Sequence, residues 1–194
     1  VGVATKELLE AERGDGSGKG CEFCFNIEDT SVNERWANKN VSFNPNKLPY
    51  ITTYGGNYYN EIDGKYYTEK IIEISNNKEC GTWTYNNDTK KYEGTNLSWI
   101  DCPAANYCVK KTLTINGVNR NGFLPSFYQI YAAKKNLSSI QELYTLLGKS
   151  FSVIDGNYWT SWQYSSSSAV YSSGGNFSRY NKNDTMKVIP VYDI

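Results

Sequence analysis

The stretch Gly156-Asn-Tyr-Trp-Thr-Ser-Trp-Gln-Tyr-Ser-Ser-Ser-Ser-Ala-Val-Tyr171 decides how the chain is read. Tyr158-Trp-Thr-Ser-Trp162 has the aromatic and β-branched content of a strand, and Ala169-Val-Tyr171 that of its neighbour. The serine run between them has the composition of a linker. Its flanking Trp and Tyr residues argue instead for a loop held between two strands. Downstream, Gly174-Gly-Asn176 supplies a turn, Phe177 opens another strand and Met186-Lys-Val-Ile-Pro-Val-Tyr192 forms a terminal one. Upstream, Phe151-Ser-Val-Ile154 reads as strand and Asp155-Gly156 as a turn.

Two helices are predicted ahead of this region. Gly122-Phe-Leu-Pro-Ser126 delivers a strand end into a helix that runs through Tyr128 to Lys135, with Pro125 near its start. Ser139-Ile-Gln-Glu142 has capping-box spacing. Ile140, Leu143, Tyr144, Leu146 and Leu147 then form an apolar face before Gly148 ends the helix. From 36 to 100 the pattern reads as a β-meander. It includes Tyr50 to Tyr54, Lys65 to Thr68, Ile71 to Ile74, Trp83 to Tyr85 and Lys91-Tyr92, with Asp63-Gly64 as a hairpin turn and Asn86-Asn-Asp88 as a second. Residues 3 to 13 read as a short helix with Leu8, Leu9 and Ala11 on its apolar side, followed by a glycine-rich loop over 14 to 20. That loop is not a phosphate-binding P-loop, because its Lys is not followed by Ser or Thr opening a helix. The expected division is therefore 1–20 as helix and loop and 21–194 as one domain, with a β-rich insertion around 36–100. The fold class is α+β.

Composition closes several functional classes. The chain has 194 residues, 20 Lys+Arg against 20 Asp+Glu, and no histidine. Triads, Cys-His dyads and HExxH zinc sites are thereby excluded, and any catalysis would fall to carboxylates, Tyr, Lys or Cys. A net charge of zero lacks the basic footprint of a nucleic-acid binder. No run of about 18 to 20 apolar residues is present to span a bilayer as a helix. Cys21, Cys24, Cys80, Cys102 and Cys108 lack a second zinc knuckle and a surrounding βαβ pattern, which leaves disulfides or buried thiols. Seventeen Tyr, with abundant Asn and Lys, fit AT-rich coding. Where Tyr, Ser, Asn and Gly cluster they also fit a recognition surface.

Six motifs in register carry a resemblance over roughly residues 102–194. They are Gly122-Phe-Leu-Pro-Ser126; Gly156-Asn-Tyr-Trp-Thr-Ser161 with Gln163-Tyr164; the serine run with Ala169; Gly175-Asn-Phe177; Asn181-Lys-Asn183; and Val188-Ile-Pro-Val-Tyr-Asp193. This pattern resembles the bacterial C-type-lectin-like domains of the Fibrobacter major paralogous and Legionella collagen-like C-terminal type, and is similar to the variable proteins of diversity-generating retroelements. The resemblance implies a C-type-lectin-like fold, with two helices on a small twisted antiparallel sheet whose last strand pairs near the start of the domain. Three positions depart from the pattern. Trp162-Gln163 replaces Thr-Glu, and Ile189 replaces an Arg before the last Pro, so an internal ion pair is lost from both ends. The Glu-Pro-Asn, Gln-Pro-Asp and Trp-Asn-Asp tripeptides of calcium-dependent sugar binding are absent, and Asn181-Lys-Asn-Asp184 reads as a solvated turn. The formylglycine-generating branch of the fold uses C-terminal cysteines, and none here lies beyond position 108.

The expected function is a non-enzymatic ligand-binding domain, an adhesin or receptor-binding module on a bacterial envelope or phage particle, without cofactor or metal. Its ligand is expected to be a cell-surface protein or glycan, with no nucleic-acid partner and no membrane insertion. The expected contact residues are Trp162, Tyr164, Ser165, Ser166, Ser167, Ser168, Val170, Tyr171, Ser173, Ser178, Tyr180 and Asn181. Rigid aromatics supply area there, and short hydroxyls and amides adapt their hydrogen bonds. Tyr158 and Trp159 are expected in the core. The resemblance also implies diversification of this face at adenines by a retroelement. The alternatives are a glycan-processing enzyme with a carboxylate pair among Glu61, Asp63, Glu69, Glu73, Asp88 and Glu93, or a pilus or tail-fibre tip subunit.

Overall fold

The computed structural model describes residues 3–4, 23–26, 31–52, 63–148 and 156–194. Within them the chain is α+β. A five-stranded sheet is built from β3 (Val32–Arg35), β9 (Asn157–Gln163), β10 (Ser168–Ser173), β11 (Asn176–Asn181) and β12 (Thr185–Val188), in the order β11-β10-β9-β12-β3. All its pairings are antiparallel except β9 with β12, so the sheet is mixed where a purely antiparallel one was expected. β1 (Val3–Ala4), β2 (Phe23–Cys24) and β13 (Tyr192–Asp193) form a second sheet in the order β1-β2-β13. The chain end is thus held at Phe23–Cys24, near the start of the domain. Val3 and Ala4, read from the sequence as helical, are strand. The rest of that expected helix, the glycine-rich loop, Cys21, Thr53–Tyr54 and the strand expected at 151–154 lie outside the described residues.

The region 36–100 is the main correction. Its middle is a helix, α1 (Gly64–Asn76), and not a hairpin. Asp63 is the N-cap, its carboxylate accepting from the backbone N–H of Lys65 at 2.9 Å and of Tyr66 at 3.2 Å. Tyr67, Ile71 and Ile74 follow at helical spacing and are buried together. Aromatic and β-branched content favoured strand, but the i, i+4, i+7 burial decides. Gly64 allows the helix start to touch its neighbour, since a Cβ there would lie 2.5 Å from Ser126 N and 2.6 Å from Leu124 O. Beyond α1, β4 (Ser42–Phe43), β5 (Cys80–Asn86) and β6 (Lys91–Ser98) form the expected β structure, with the 86–88 turn between the last two. A short helix α2 (Pro103–Val109) and the hairpin β7 (Thr112–Ile115) with β8 (Val118–Asn121) complete this half.

Helix α3 (Phe127–Lys135) starts on a capping box. Gln129 N donates to Ser126 Oγ at 3.2 Å and Ser126 N donates to Gln129 Oε1 at 2.9 Å, both buried. α4 (Leu137–Leu146) begins two residues before the expected capping box, with Asn136 at its N-cap and no side-chain cap. Only Ile140 and Tyr144 of its expected apolar face are buried, and Leu146 is 84% exposed. The described residues therefore hold four helices where the resemblance implied two. One core joins the sheet to α1, α2 and α3 through Trp36, Phe43, Ile71, Ile100, Phe127, Trp159 and Trp162.

Candidate recognition surface

Strand β9 is buried from Tyr158 to Gln163, so no ligand meets it directly. Trp162, expected as an exposed contact, is fully buried, with its ring 6.0 Å from Phe127 and 5.5 Å edge-on from Tyr128. Its position in a central strand under α3 accounts for this. Val170 is fully buried as well and is also removed from the contact set. Trp159 is in the core as expected, its indole N–H donating to Glu34 O at 3.0 Å.

The remaining expected residues separate onto two faces. In the β10–β11 register Tyr171 is opposite Ser178, Ala169 opposite Tyr180 and Ser173 opposite Asn176. Tyr171, Ser173, Ser178 and Tyr180 therefore share one face. The Tyr171 ring is edge-on to Trp159 at 6.2 Å and to Tyr180 at 6.5 Å, and Tyr180 is 50% exposed. These tyrosines border an open concavity of about 480 Å³, lined also by Asn33, Asn157, Thr185 and Lys187. On the other face Ser168 is opposite Asn181 and Val170 opposite Arg179. The Arg179 guanidinium lies over the Tyr164 ring at 4.4 Å and donates to its hydroxyl, and Phe177 ties that face to Phe127 at 5.4 Å. The contact set read from the sequence as one surface is thus two.

The serines of the β9–β10 loop are structured. Tyr164 N and Ser165 N both donate to Ser168 O at 3.0 Å, and Ser168 N donates to Ser165 Oγ at 3.1 Å. Ser166 is exposed, and Ser165, Ser167 and Ser168 are half-buried. What holds this loop is Lys182, a residue the sequence placed in a solvated turn and the structure buries completely. Its Nζ donates to Val41 O at 2.8 Å, Gln163 Oε1 at 2.8 Å and Ser166 O at 3.0 Å, which uses all three ammonium protons. The rings of Trp36 and Phe43 lie 5.3 and 5.4 Å from it. Burial holds its pKa well below the usual lysine value, with the nearby Cys80 and Cys102 acting in the opposite sense.

Gln163 completes the arrangement. Its Oε1 also accepts from Phe43 N at 3.0 Å, and its Nε2 donates to Phe43 O at 3.1 Å and Leu48 O at 2.7 Å. All its polar side-chain atoms are used, so the lost Glu of the resembled pattern is replaced here by a neutral clamp beside a lone buried amine. Lys182 and Gln163 were missed as a pair, and nothing in local sequence marks them. Lys187, which lines the concavity, was also not singled out, and its alternation with the buried Met186 and Val188 along β12 is the signal that could have found it.

The candidate catalytic carboxylates are occupied elsewhere or dispersed. Asp63 caps α1, Glu73 pairs with Lys70 and Lys47, and Glu93 accepts from Asn86. Glu61 lies outside the described residues, and Asp88 is in the β5–β6 turn. Cys24, Cys80 and Cys102 are buried free thiols, so the disulfide alternative does not apply to them, and Cys108 is buried as well. Among the described residues no group of three or more His, Cys, Asp or Glu is placed to hold a metal ion. No helix among them is long and apolar enough to cross a membrane. Comparisons with protein-family models, with curated proteins and with solved structures return no match.

Proposed function

We propose that the chain is a non-enzymatic ligand-binding domain whose recognition surface is the Tyr171–Tyr180 face of the five-stranded sheet. The observation that carries this reading is a pair of adjacent tyrosines, Tyr180 exposed and Tyr171 half-buried, bordering an open concavity edged by amides and hydroxyls. Aromatic anchors of low conformational entropy beside adaptable polar groups are the makeup of a protein or glycan contact patch. The motif resemblance over 102–194 supports a C-type-lectin-like fold and a role as an extracellular or cell-surface adhesin or receptor-binding module. Retroelement diversification belongs to the same reading. It requires an imperfect repeat, differing at adenines, near the coding DNA for 158–192.

The test is a binding screen of the full chain against arrayed glycans and bacterial or host surface proteins, repeated with Tyr171→Ala and Tyr180→Ala. Tyr180→Ala should leave stability within about 0.5 kcal/mol, as for a surface site. Each anchor should cost about 2 kcal/mol or more of binding energy. Capture that survives both replacements sinks this assignment of the face.

A further inference from the structure

A second cleft, away from the sheet face, lies where α1, β8 and β13 meet and encloses about 320 Å³. Four charged side chains line it: Lys65 and Glu69 from α1, Arg120 from β8 and Asp193 from β13. Lys65 Nζ is 2.6 Å from Asp193 Oδ2, so this pair is satisfied internally. Glu69 and Arg120 are not. Neither has a close ion pair or a side-chain hydrogen bond among the described residues, Glu69 acting on Lys65 only at longer range, and Arg120 Nε is buried without a partner. A guanidinium is costly to leave in that state, because desolvated donors lose their water without replacement. Its terminal donors make no hydrogen bond among the described residues and remain for a planar two-oxygen acceptor. The Glu69 carboxylate, exposed on α1, lines the same cleft and can accept from a cation bound there. Phe123, almost fully buried, gives the cleft an apolar surface.

The volume sits at the low end of small-molecule sites, and the two charges without a close ion pair are of opposite sign. We propose that this cleft binds a small zwitterion of the α-amino-acid class, its carboxylate on Arg120 and its ammonium on Glu69. A simple anion would leave Glu69 unsatisfied and bring it negative charge, and a simple cation would do the same in reverse to Arg120. The site shares no lining residue with the tyrosine face, so it stands or falls separately from the proposed recognition surface.

The experiment titrates the full chain with each common amino acid, and with inorganic phosphate, by calorimetry or amide chemical shifts. At least one amino acid should bind saturably in the millimolar range or tighter. Its carboxamide and N-acetyl analogues should bind about tenfold more weakly or worse, and Arg120→Gln should reproduce the carboxamide loss. Glu69→Gln, at an exposed helix position that keeps the fold, should weaken the free amino acid while leaving the N-acetyl analogue unchanged. That variant carries the test if Arg120→Gln fails to fold. Absence of saturable binding by any amino acid overturns the proposal. So does phosphate binding as tightly as the amino acid, or blocked analogues that bind as well as the free amino acid.

Discussion

At Gln163 and Lys182 backbone groups from distant segments converge on two side chains. Phe43 N and O, Leu48 O, Val41 O and Ser166 O all depend on them. Buried polar groups left without partners cost about 1–3 kcal/mol each. Gln163→Leu strands the Phe43 amide and carbonyl together with Leu48 O, so it should cost about 3–5 kcal/mol in a urea melt, at the upper end for single replacements. A loss below about 1 kcal/mol would show that the clamp contributes little. Trp162→Ala should match it at about 3–5 kcal/mol, the range for removing a large core aromatic. A near-neutral result there would return Trp162 to the surface, where its sequence context places it.

Between residue and fold, the helix α1 shows how an element can be misread. Asp63-Gly64 serves equally well as a hairpin turn or as an N-cap followed by a first helical residue, and Tyr, Thr and Ile fill strands as readily as a buried helix face. Only contact with α2, β9 and the start of α3 decides between them. The consequence is testable by paired replacements. Asp63→Ala should cost about 0.5–2 kcal/mol through loss of the cap. Gly64→Ala should destabilise despite the better helix propensity of Ala, because its methyl would meet Ser126 N and Leu124 O. If Gly64→Ala instead raises the melting temperature, the close approach of α1 to the α3 cap is wrong. By contrast the helix after Gly122-Phe-Leu-Pro-Ser126 was legible from Pro125 near its start, although the capping box proved to be Ser126 with Gln129 and not the one read at Ser139 to Glu142. The hairpin of β10 and β11 was likewise legible, through the Gly174-Gly175 turn with both φ values positive at 55° and 89°. What could not be read was which face each strand residue takes once α3 covers one side. Trp162 and Val170 were lost from the site on that ground, and Tyr171 and Tyr180 kept.

For the molecule as a whole, buried ionisable groups set how stability moves with pH. Lys182 is protonated in the unfolded chain up to its ordinary value near 10.5, whereas burial lowers that value in the fold. Between the two values the unfolded state binds more protons, so this residue makes stability rise with pH until about 10.5. The thiols act oppositely. Burial pushes Cys24 up to about 11 and Cys80 up to about 12 from an ordinary 9.0, and raises Cys102 also. The unfolded thiols ionise first, so their contribution is complete below pH 9.0 and is lost as pH climbs through the folded values. One proton's difference is worth about 1.4 kcal/mol per pH unit, and three thiols outweigh one lysine. Stability should therefore rise with pH from the lowered folded value of Lys182 to a maximum near 9 and fall above it. Lys182→Met removes the rising limb and keeps the falling one. Its stability relative to the parent chain should fall as pH is raised toward about 9, as read from urea midpoints under reducing conditions. Parallel pH profiles for the two proteins would mean that Lys182 stays charged in the fold, held by its three oxygens and two rings against the cost of burial.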